Sequence, residues 1–281
     1  MVRIITDSAA DFEPRELQAM KIHCIPLTVY FGDAEYQENV SLTKDQFYDL
    51  VKTTGEFPKT AQASPQILID LFEEVKEAGD EAVYITLSAS VSGTYQSAVA
   101  AKRLAESDSC YVVDGMNATG GQRMLVEYAV KLRDQGKTAS QIVAAVEALR
   151  SRVVLYACMD TLEYLYRGGR ISQTVYKLGS LAQVKPIMRI SEGKVEVPAK
   201  AMGMRKGMDI LCRQLEQQPA DDAFPVYVMY TGDKTNGTLL RDRLVDAGNS
   251  IPEERVINVG AAIGSHIGPG ACGLVYVAKE D

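Results

Sequence analysis

Hydroxyl side chains gather in two stretches that each run into a helix start: Lys59-Thr60-Ala61-Gln62-Ala63-Ser64-Pro65, and Ser88-Ala89-Ser90-Val91-Ser92-Gly93-Thr94 after the apolar Ile85-Thr86-Leu87. A buried strand ending in a small, hydroxyl-rich turn before a helix offers free N–H donors and the positive end of a helix dipole, which suit an anionic group. The same residue types serve equally as helix caps. Ser64 before Pro65 reads most simply as a cap, whereas Thr60 is not needed for it and has an open role. A third stretch, Gly264-Ser265-His266-Ile267-Gly268-Pro269-Gly270-Ala271, holds one of the two histidines, and its glycines and proline imply a tight turn with close backbone approach. The other histidine, His23, lies in the strand-like Ile22-His23-Cys24-Ile25 and reads as structural. The fourth stretch, from Thr161 to Ser172, reads as a short amphipathic helix stopped by Gly168-Gly169, with Gly168 in the left-handed stop position. Arg167 and Arg170, with Lys177, Lys185 and Arg189 nearby in sequence, form a basic cluster in an acidic chain. It is either a solvated face or a docking surface for an acidic partner, and Arg170 is expected on the surface, away from any pocket.

Most enzyme signatures are missing: there is no phosphate-binding G-x-x-x-x-G-K-[ST], no G-x-G-x-x-G in the first βα turn, no G-x-S-x-G elbow and no H-E-x-x-H. A hydrolase remains conceivable with Ser92 as nucleophile, His266 as base and Asp7 or Asp114 as orienter. Two histidines do not build a His-based metal site, and nothing beyond their place at strand ends joins Asp7, Asp11 and Asp114 as ligands of a cation, so no metal is expected. Asp7-Ser8 after the first apolar run reads as an Asx-type turn. Lys plus Arg is 30 against 37 for Asp plus Glu, a net charge of −7, which argues against nucleic acid as the main partner. The five cysteines are spread out with no C-x-x-C pair, so they read as reduced thiols in a cytoplasmic protein. The N-terminal stretch reads as a first strand rather than a signal peptide, and no apolar run is long enough for a membrane span.

These stretches must be positioned by the elements between them. Short apolar runs at 2–5, 22–30, 82–87 and 110–114 read as strands, and helical patterns at 44–54, 65–78, 119–135 and 139–151 alternate with them. That alternation is the signature of βαβ units and a mostly parallel sheet. Thr43 with Gln46, and Thr138 with Gln141, have capping-box spacing. From about residue 152 the pattern shifts: strands at 153–159 and 225–230, a hairpin at 186–201 around Glu192-Gly193, helices at 205–218 and 236–247, and a last strand at 272–278. The reading is an α/β fold of two domains, a parallel-sheet domain over 1–152 and an α+β domain over 153–281, with a cleft between them as the ligand site.

Taken in order along the whole chain, Ile5-Thr6-Asp7-Ser8, Lys59-Thr60 to Ser64-Pro65, Ser92-Gly93-Thr94-Tyr95-Gln96-Ser97-Ala98, Arg167-Gly168-Gly169-Arg170-Ile171-Ser172 and Ile267-Gly268-Pro269-Gly270 resemble the DegV family of bacterial fatty-acid-binding proteins. The resemblance implies two α/β domains with one long-chain fatty acid in a buried tunnel between them. It implies that the hydroxyls of Thr60 and Ser92 hydrogen-bond the carboxylate, with Gly93 and Thr94 at the helix start and His266 near the same head group. It also implies that Arg170, beside Arg167, engages the catalytic subunit of a separate fatty acid kinase, which phosphorylates the acid to an acyl phosphate for phospholipid synthesis. On that reading the chain is a non-catalytic binding subunit with no cofactor besides its lipid, and any membrane contact is transient. A lipid-responsive sensor would share the pocket and differ only in output.

Overall fold

The computed structural model describes residues 1–179 and 183–280. In chain order its strands are β1 (Val2–Asp7), β2 (Ile22–Ile25), β3 (Thr28–Phe31), β4 (Ala34–Gln37), β5 (Lys59–Ala61), β6 (Glu81–Thr86), β7 (Cys110–Asp114), β8 (Val153–Cys158), β9 (Val184–Ser191), β10 (Lys194–Met202), β11 (Tyr227–Tyr230), β12 (Val256–Asn258) and β13 (Cys272–Val277). The helices are α1 (Pro14–Met20), α2 (Lys44–Thr54), α3 (Pro65–Glu77), α4 (Thr94–Leu104), α5 (Thr119–Asp134), α6 (Ala139–Arg150), α7 (Glu163–Arg167), α8 (Gln173–Gly179), α9 (Met204–Gln217), α10 (Thr235–Asp246) and α11 (Ala261–Ile267).

The first half forms a parallel sheet in the order β2-β1-β6-β7, with a small antiparallel sheet β4-β3-β5 beside it. The second half forms a six-stranded sheet, β10-β9-β8-β13-β11-β12, in which only β11 and β12 run parallel. In the parallel sheet the chain steps from β1 out to β2 and later returns to the other side of β1 as β6. The gap beyond the carboxyl ends of β1 and β6 is therefore a switch point, where open α/β sheets leave a crevice. Asp7 spans this point: its carboxylate accepts from the Leu87 N–H at 3.0 Å and from the Ala9 N–H at 3.2 Å, the latter being the expected Asx turn.

Helix α5 lies between the two large sheets and is buried on both sides, touching β1 and β6 on one face and β8 and β13 on the other. That accounts for a first half in which Gly120 to Val126 are all buried. One apolar core accordingly runs through both sheets, joining Ile4, Val83 and Ile85 to Leu125, Leu155 and Val275. Both capping boxes form, Thr43 with Gln46 and Thr138 with Gln141. Ser64 occupies the cap position of α3 before Pro65, but its hydroxyl takes no N–H of the helix.

One expected strand is two. The run 22–30 divides at Pro26, which has no N–H, and Leu27 spends its N–H on the Ser8 hydroxyl at 3.0 Å. The chain thereby leaves the parallel sheet as β2 and enters the small sheet as β3, where Val29 pairs with Thr60 of β5. The hairpin of β9 and β10 turns at Glu192 (φ 48°) and Gly193 (φ 77°), both left-handed. Its tip reaches the first half of the chain, where Ser88 Oγ donates to the Gly193 carbonyl at 2.6 Å.

Candidate functional site

A cavity of about 270 Å³ lies between the sheets, just below the ~300–1,000 Å³ typical of ligand pockets. Its walls are mainly apolar: Leu87 and Val91 after β6, Leu155 and Ala157 of β8, and Met188 and Ile190 of β9. Both halves of the chain contribute, so neither half contains it alone.

One end is polar. Thr60 Oγ1 and His266 Nε2, 206 positions apart in sequence, lie 2.8 Å from each other. Ser92 and Gly93 line the same end at the entry to α4, and the Ser92 hydroxyl accepts from the Thr94 N–H at 3.2 Å. Arg170 closes the group, donating from Nε to the Val91 carbonyl at 3.0 Å and from Nη1 to the Gly168 carbonyl at 2.5 Å. Thr60, Ser92 and His266 are each half-buried, which leaves their polar atoms facing the cavity rather than lost in the core.

His266 is held neutral. Burial, and then the charge of Arg170, lower its pKa from 6.5 to about 4. Its Nδ1 is buried without a hydrogen-bond partner among the described residues, and a Cβ on Gly168 would sit 2.3 Å from that atom. An unpaired buried acceptor is tolerated better than an unpaired buried N–H, so the surroundings assign the single ring proton to Nε2. Nε2–H then donates to Thr60 Oγ1, which leaves the threonine O–H to donate into the cavity. Gly168 thus has a steric purpose. Its φ is −73°, and Gly169 at φ 74° is the left-handed residue. The expectation that Gly168 is the left-handed stop is corrected by one position.

Other expectations change as well. His266 is not in a turn: Gly264 to Ile267 are the end of α11, and the turn begins at Gly268, φ 71°. Gly264 serves close packing instead, since a Cβ there would meet Phe47 at 2.7 Å and the Tyr48 hydroxyl at 2.8 Å. Thr94, expected at the head group, is fully buried behind the wall, where its hydroxyl accepts from the Ala63 N–H at 3.3 Å and bonds Ser92 Oγ at 3.0 Å. Arg170, expected on the surface, is half-buried and lines the cavity, and burial lowers its pKa. Arg167 does lie at the surface, paired with Glu163 at 2.7 Å and stacked over the Phe57 ring at 3.9 Å. The rest of the basic run is dispersed, with Lys185 on Asp160 and Arg189 on Glu196.

The hydrolase constellation is not assembled. Ser92 bonds the Thr94 backbone and hydroxyl, His266 bonds Thr60, and neither Asp7 nor Asp114 bonds the imidazole. Asp114 accepts from the Ala89 and Met116 N–H groups at 3.0 and 2.9 Å.

Two features had no distinct sequence signal. Gln62 lies at the cavity mouth, donating to Ser97 Oγ at 2.7 Å, with its Oε1 only 1.8 Å from where a Gly93 Cβ would be. A side chain at position 93 would therefore push the Gln62 amide aside. At the start of α11, two buried carboxylates take backbone donors: Asp11 accepts from Gly260 N–H at 2.8 Å, and Glu38 from Ala262 N–H at 3.1 Å. Burial, and then Asp11, push the Glu38 carboxyl up from 4.5 to about 7.

The fold and site define an α/β protein with an apolar, ligand-sized cavity between two sheets, closed at one end by hydroxyls, a neutral imidazole and one arginine. The chain belongs to the DegV family, whose model it matches over residues 1–279. A DegV domain-containing protein of Caldanaerobacter subterraneus subsp. tengcongensis is 31% identical over 280 residues, covering 99% of each chain. Among solved structures, a stearic-acid-binding protein from Eubacterium ventriosum superposes with a TM-score of 0.89 at 26% identity, covering 99% of each chain. A fatty-acid-binding DegV family protein from Thermus thermophilus gives 0.88 at 28%, with the same coverage. The mixed α/β fold, with its parallel sheet in the N-terminal part, is that of these neighbours.

Proposed function

We propose that this protein binds one long-chain fatty acid in the cavity, carboxylate at the Thr60–His266 end, and presents it to a separate fatty acid kinase without itself catalysing a reaction. The two parts that enclose the acid are residues 1–152 and 153–281, and the protein works in the cytoplasm. The observation that carries the reading is the pairing of an apolar cavity with a rim of neutral donors. Burying ~15 methylenes at ~0.8 kcal/mol each offers on the order of 12 kcal/mol before ordering costs. The carboxylate at the end of that chain must then be hydrogen-bonded, because an unpaired buried charge is very costly. Thr60, whose hydroxyl the imidazole orients, Ser92 and the N–H groups around Gly93 supply donors, and Arg170 adds a positive charge on the wall. The fatty-acid-binding relatives support the same ligand class.

A carboxylate gripped mainly by neutral donors keeps a free lone pair for attack on a γ-phosphate delivered by another protein. The absence of a phosphate-binding loop from the sequence accords with a presenter that needs no nucleotide of its own. Arg167, at the surface two residues beyond the cavity-lining Leu165, and Arg170 behind it are the residues offered to that partner. Among the described residues no helix is long and apolar enough to cross a membrane.

Native against denaturing mass spectrometry of the purified protein tests the ligand: the mass difference should be that of one acyl chain. A protein that carries no lipid and takes up no added fatty acid would sink the proposal. Ser92→Ala should then weaken uptake by ~1–3 kcal/mol. With ATP alone the loaded protein should make no acyl phosphate, and adding a fatty acid kinase subunit should produce it.

A further inference from the structure

Among the described residues that line the cavity, Gln62 alone is exposed, so its side chain lies where the polar end meets solvent. It stands two positions after Thr60, just past the end of β5. Across the opening Gly93 precedes α4, with Ser92 beside it. Gln62 Nε2 donates to Ser97 Oγ at 2.7 Å, and Oε1 is turned toward Gly93, 1.8 Å from where a Cβ there would be. Gly93 has φ −75°, which any residue adopts, so its lack of a side chain serves space rather than backbone freedom. The Gln62 amide occupies that space. The next residue ties the same two segments, since the Ala63 N–H donates to Thr94 Oγ1 at 3.3 Å. The amide thus spans the stretch that carries Thr60 and the one that carries Ser92, on the solvent side of both. A hydroxyl donates as readily as it accepts, so Ser97 can hold the amide either way round. Turned over, Oε1 takes the Ser97 O–H and the NH2 group faces the Gly93 side of the cavity.

We propose that Gln62 is a further head-group residue, whose amide turns over in the loaded protein to donate an N–H to the fatty acid carboxylate from the solvent side. The inference rests on the fatty-acid reading above and adds to it the donor that covers the open side of the carboxylate. An uncharged amide suits that place, because it gives a hydrogen bond without a salt bridge that the acid must later surrender. Gln62→Glu keeps the length and an acceptor for the Ser97 O–H, but sets a second carboxylate against the first. The same exchange puts negative charge at the first turn of α4, which a helix N-terminus favours. Stability should therefore hold or rise while affinity for the acid falls, a split that a purely structural glutamine would not give.

The test pairs a saturated fatty acid with the fatty alcohol of the same length, each titrated into the parent protein, Gln62→Glu and Gln62→Met at pH 8, with thermal melting to show that each variant is folded. Gln62→Met, of similar reach but without an N–H, should bind the acid about threefold to tenfold more weakly, and Gln62→Glu at least about tenfold more weakly. Both should bind the alcohol within about twofold of the parent, because the alcohol carries no charge to satisfy or repel. At pH 5.5 the deficit of Gln62→Glu should shrink, since two facing carboxylates can then share a proton. His266, at about 4, and the Arg170 guanidinium keep their charge states between these pH values, so the change belongs to the introduced carboxyl and the ligand. Equal losses on acid and alcohol would make Gln62 a strap between two segments, and unchanged acid affinity would place it outside the site; either overturns the inference. Gln62→Met decides the matter should Gln62→Glu fail to fold. If the alcohol does not enter the parent, the pH comparison decides, and a deficit that persists at pH 5.5 overturns the inference. A parent that takes up no fatty acid removes the fatty-acid reading itself, an outcome distinct from uptake that Gln62 does not influence.

Discussion

The Thr60–His266 pair invites a double-mutant cycle. If the imidazole Nε2–H donates to Thr60 Oγ1 at 2.8 Å, the threonine O–H can point only away from the ring, into the cavity. The two residues then act in series on a carboxylate, and removing either breaks the same chain of hydrogen bonds. Thr60→Val keeps shape and strand preference while deleting the hydroxyl, and should cost ~1–3 kcal/mol of fatty acid affinity, the usual loss for a hydrogen bond to a charged group. His266→Leu deletes the ring donor, leaving the threonine hydroxyl free to rotate, and should cost ~1–2 kcal/mol. Because the imidazole acts through the hydroxyl, the double variant should lose little more than Thr60→Val alone, giving a coupling energy of ~1 kcal/mol or more. Isothermal titration calorimetry at constant pH with one acid measures all four corners. Strictly additive losses would refute the series arrangement and leave two independent contacts; no loss at Thr60→Val would return that hydroxyl to a structural role.

Three further outcomes follow from the geometry. Gly168→Ala would place a Cβ 2.3 Å from His266 Nδ1, so the ring must move, and affinity should fall about as far as in His266→Leu while Arg167 and its ion pair stay in place; unchanged affinity would mean the ring adapts at no cost. Arg170→Ala should weaken fatty acid binding by at least ~1 kcal/mol, because this arginine lines the cavity and tethers Val91 to Gly168; equal affinity by calorimetry would place it outside the site. Glu38→Gln addresses pH dependence. The folded-state pKa of about 7 lies above the ordinary 4.5, so the unfolded chain releases its proton first and the parent loses stability as pH rises from 4.5 through 7. The variant should be more stable than the parent by up to ~3 kcal/mol at pH 8 and show little gain at pH 4.5 in urea unfolding, and a gain of equal size at both would contradict the raised carboxyl.

How far the sequence spoke for itself varies by residue, for physical reasons. Parallel-sheet strands buried on both faces, such as Glu81–Thr86, read as apolar runs, and both capping boxes declared their helices. Glycine was the ambiguous letter. In Gly264-Ser265-His266-Ile267-Gly268 its density suggests a turn, yet Gly264 is helical and exists for contact with Phe47 and Tyr48. At Gly168-Gly169 one glycine stops a helix while the other makes room for an imidazole 98 positions away. A single residue type answers to backbone freedom and to lack of bulk, and only the tertiary neighbour tells which applies. Arg170 was misplaced on similar grounds: charge after a helix stop normally means solvent, and its two carbonyl acceptors lie on segments that only the fold brings together. Glu38, in the polar run Gln37-Glu38-Asn39, carried no sign that it would be buried under the start of α11.

The neutral imidazole sets a last expectation about protons. From a pKa of about 4, His266 must rise by more than three units to be charged at pH 7.5. An opposite charge within ~4–6 Å raises a histidine by about 1–3 units. A carboxylate bound through the Thr60 hydroxyl is one group further from the ring than a direct partner, so its effect belongs at the low end of that range. Burial, which lowers the histidine most, persists in the complex, and Arg170, which lowers it further, remains on the wall and opposes the rise. Fatty acid uptake at pH 7.5 should therefore bind close to zero protons, measured as equal calorimetric heats in buffers of different ionisation enthalpy. Uptake approaching one proton would mean that the complex forms an imidazolium–carboxylate pair, with the histidine in direct contact and the threonine relay bypassed. The distinction matters for presentation: an acid held by an imidazolium must give up a salt bridge before its oxygen can attack phosphorus, whereas one held by O–H and N–H donors gives up only a hydrogen bond.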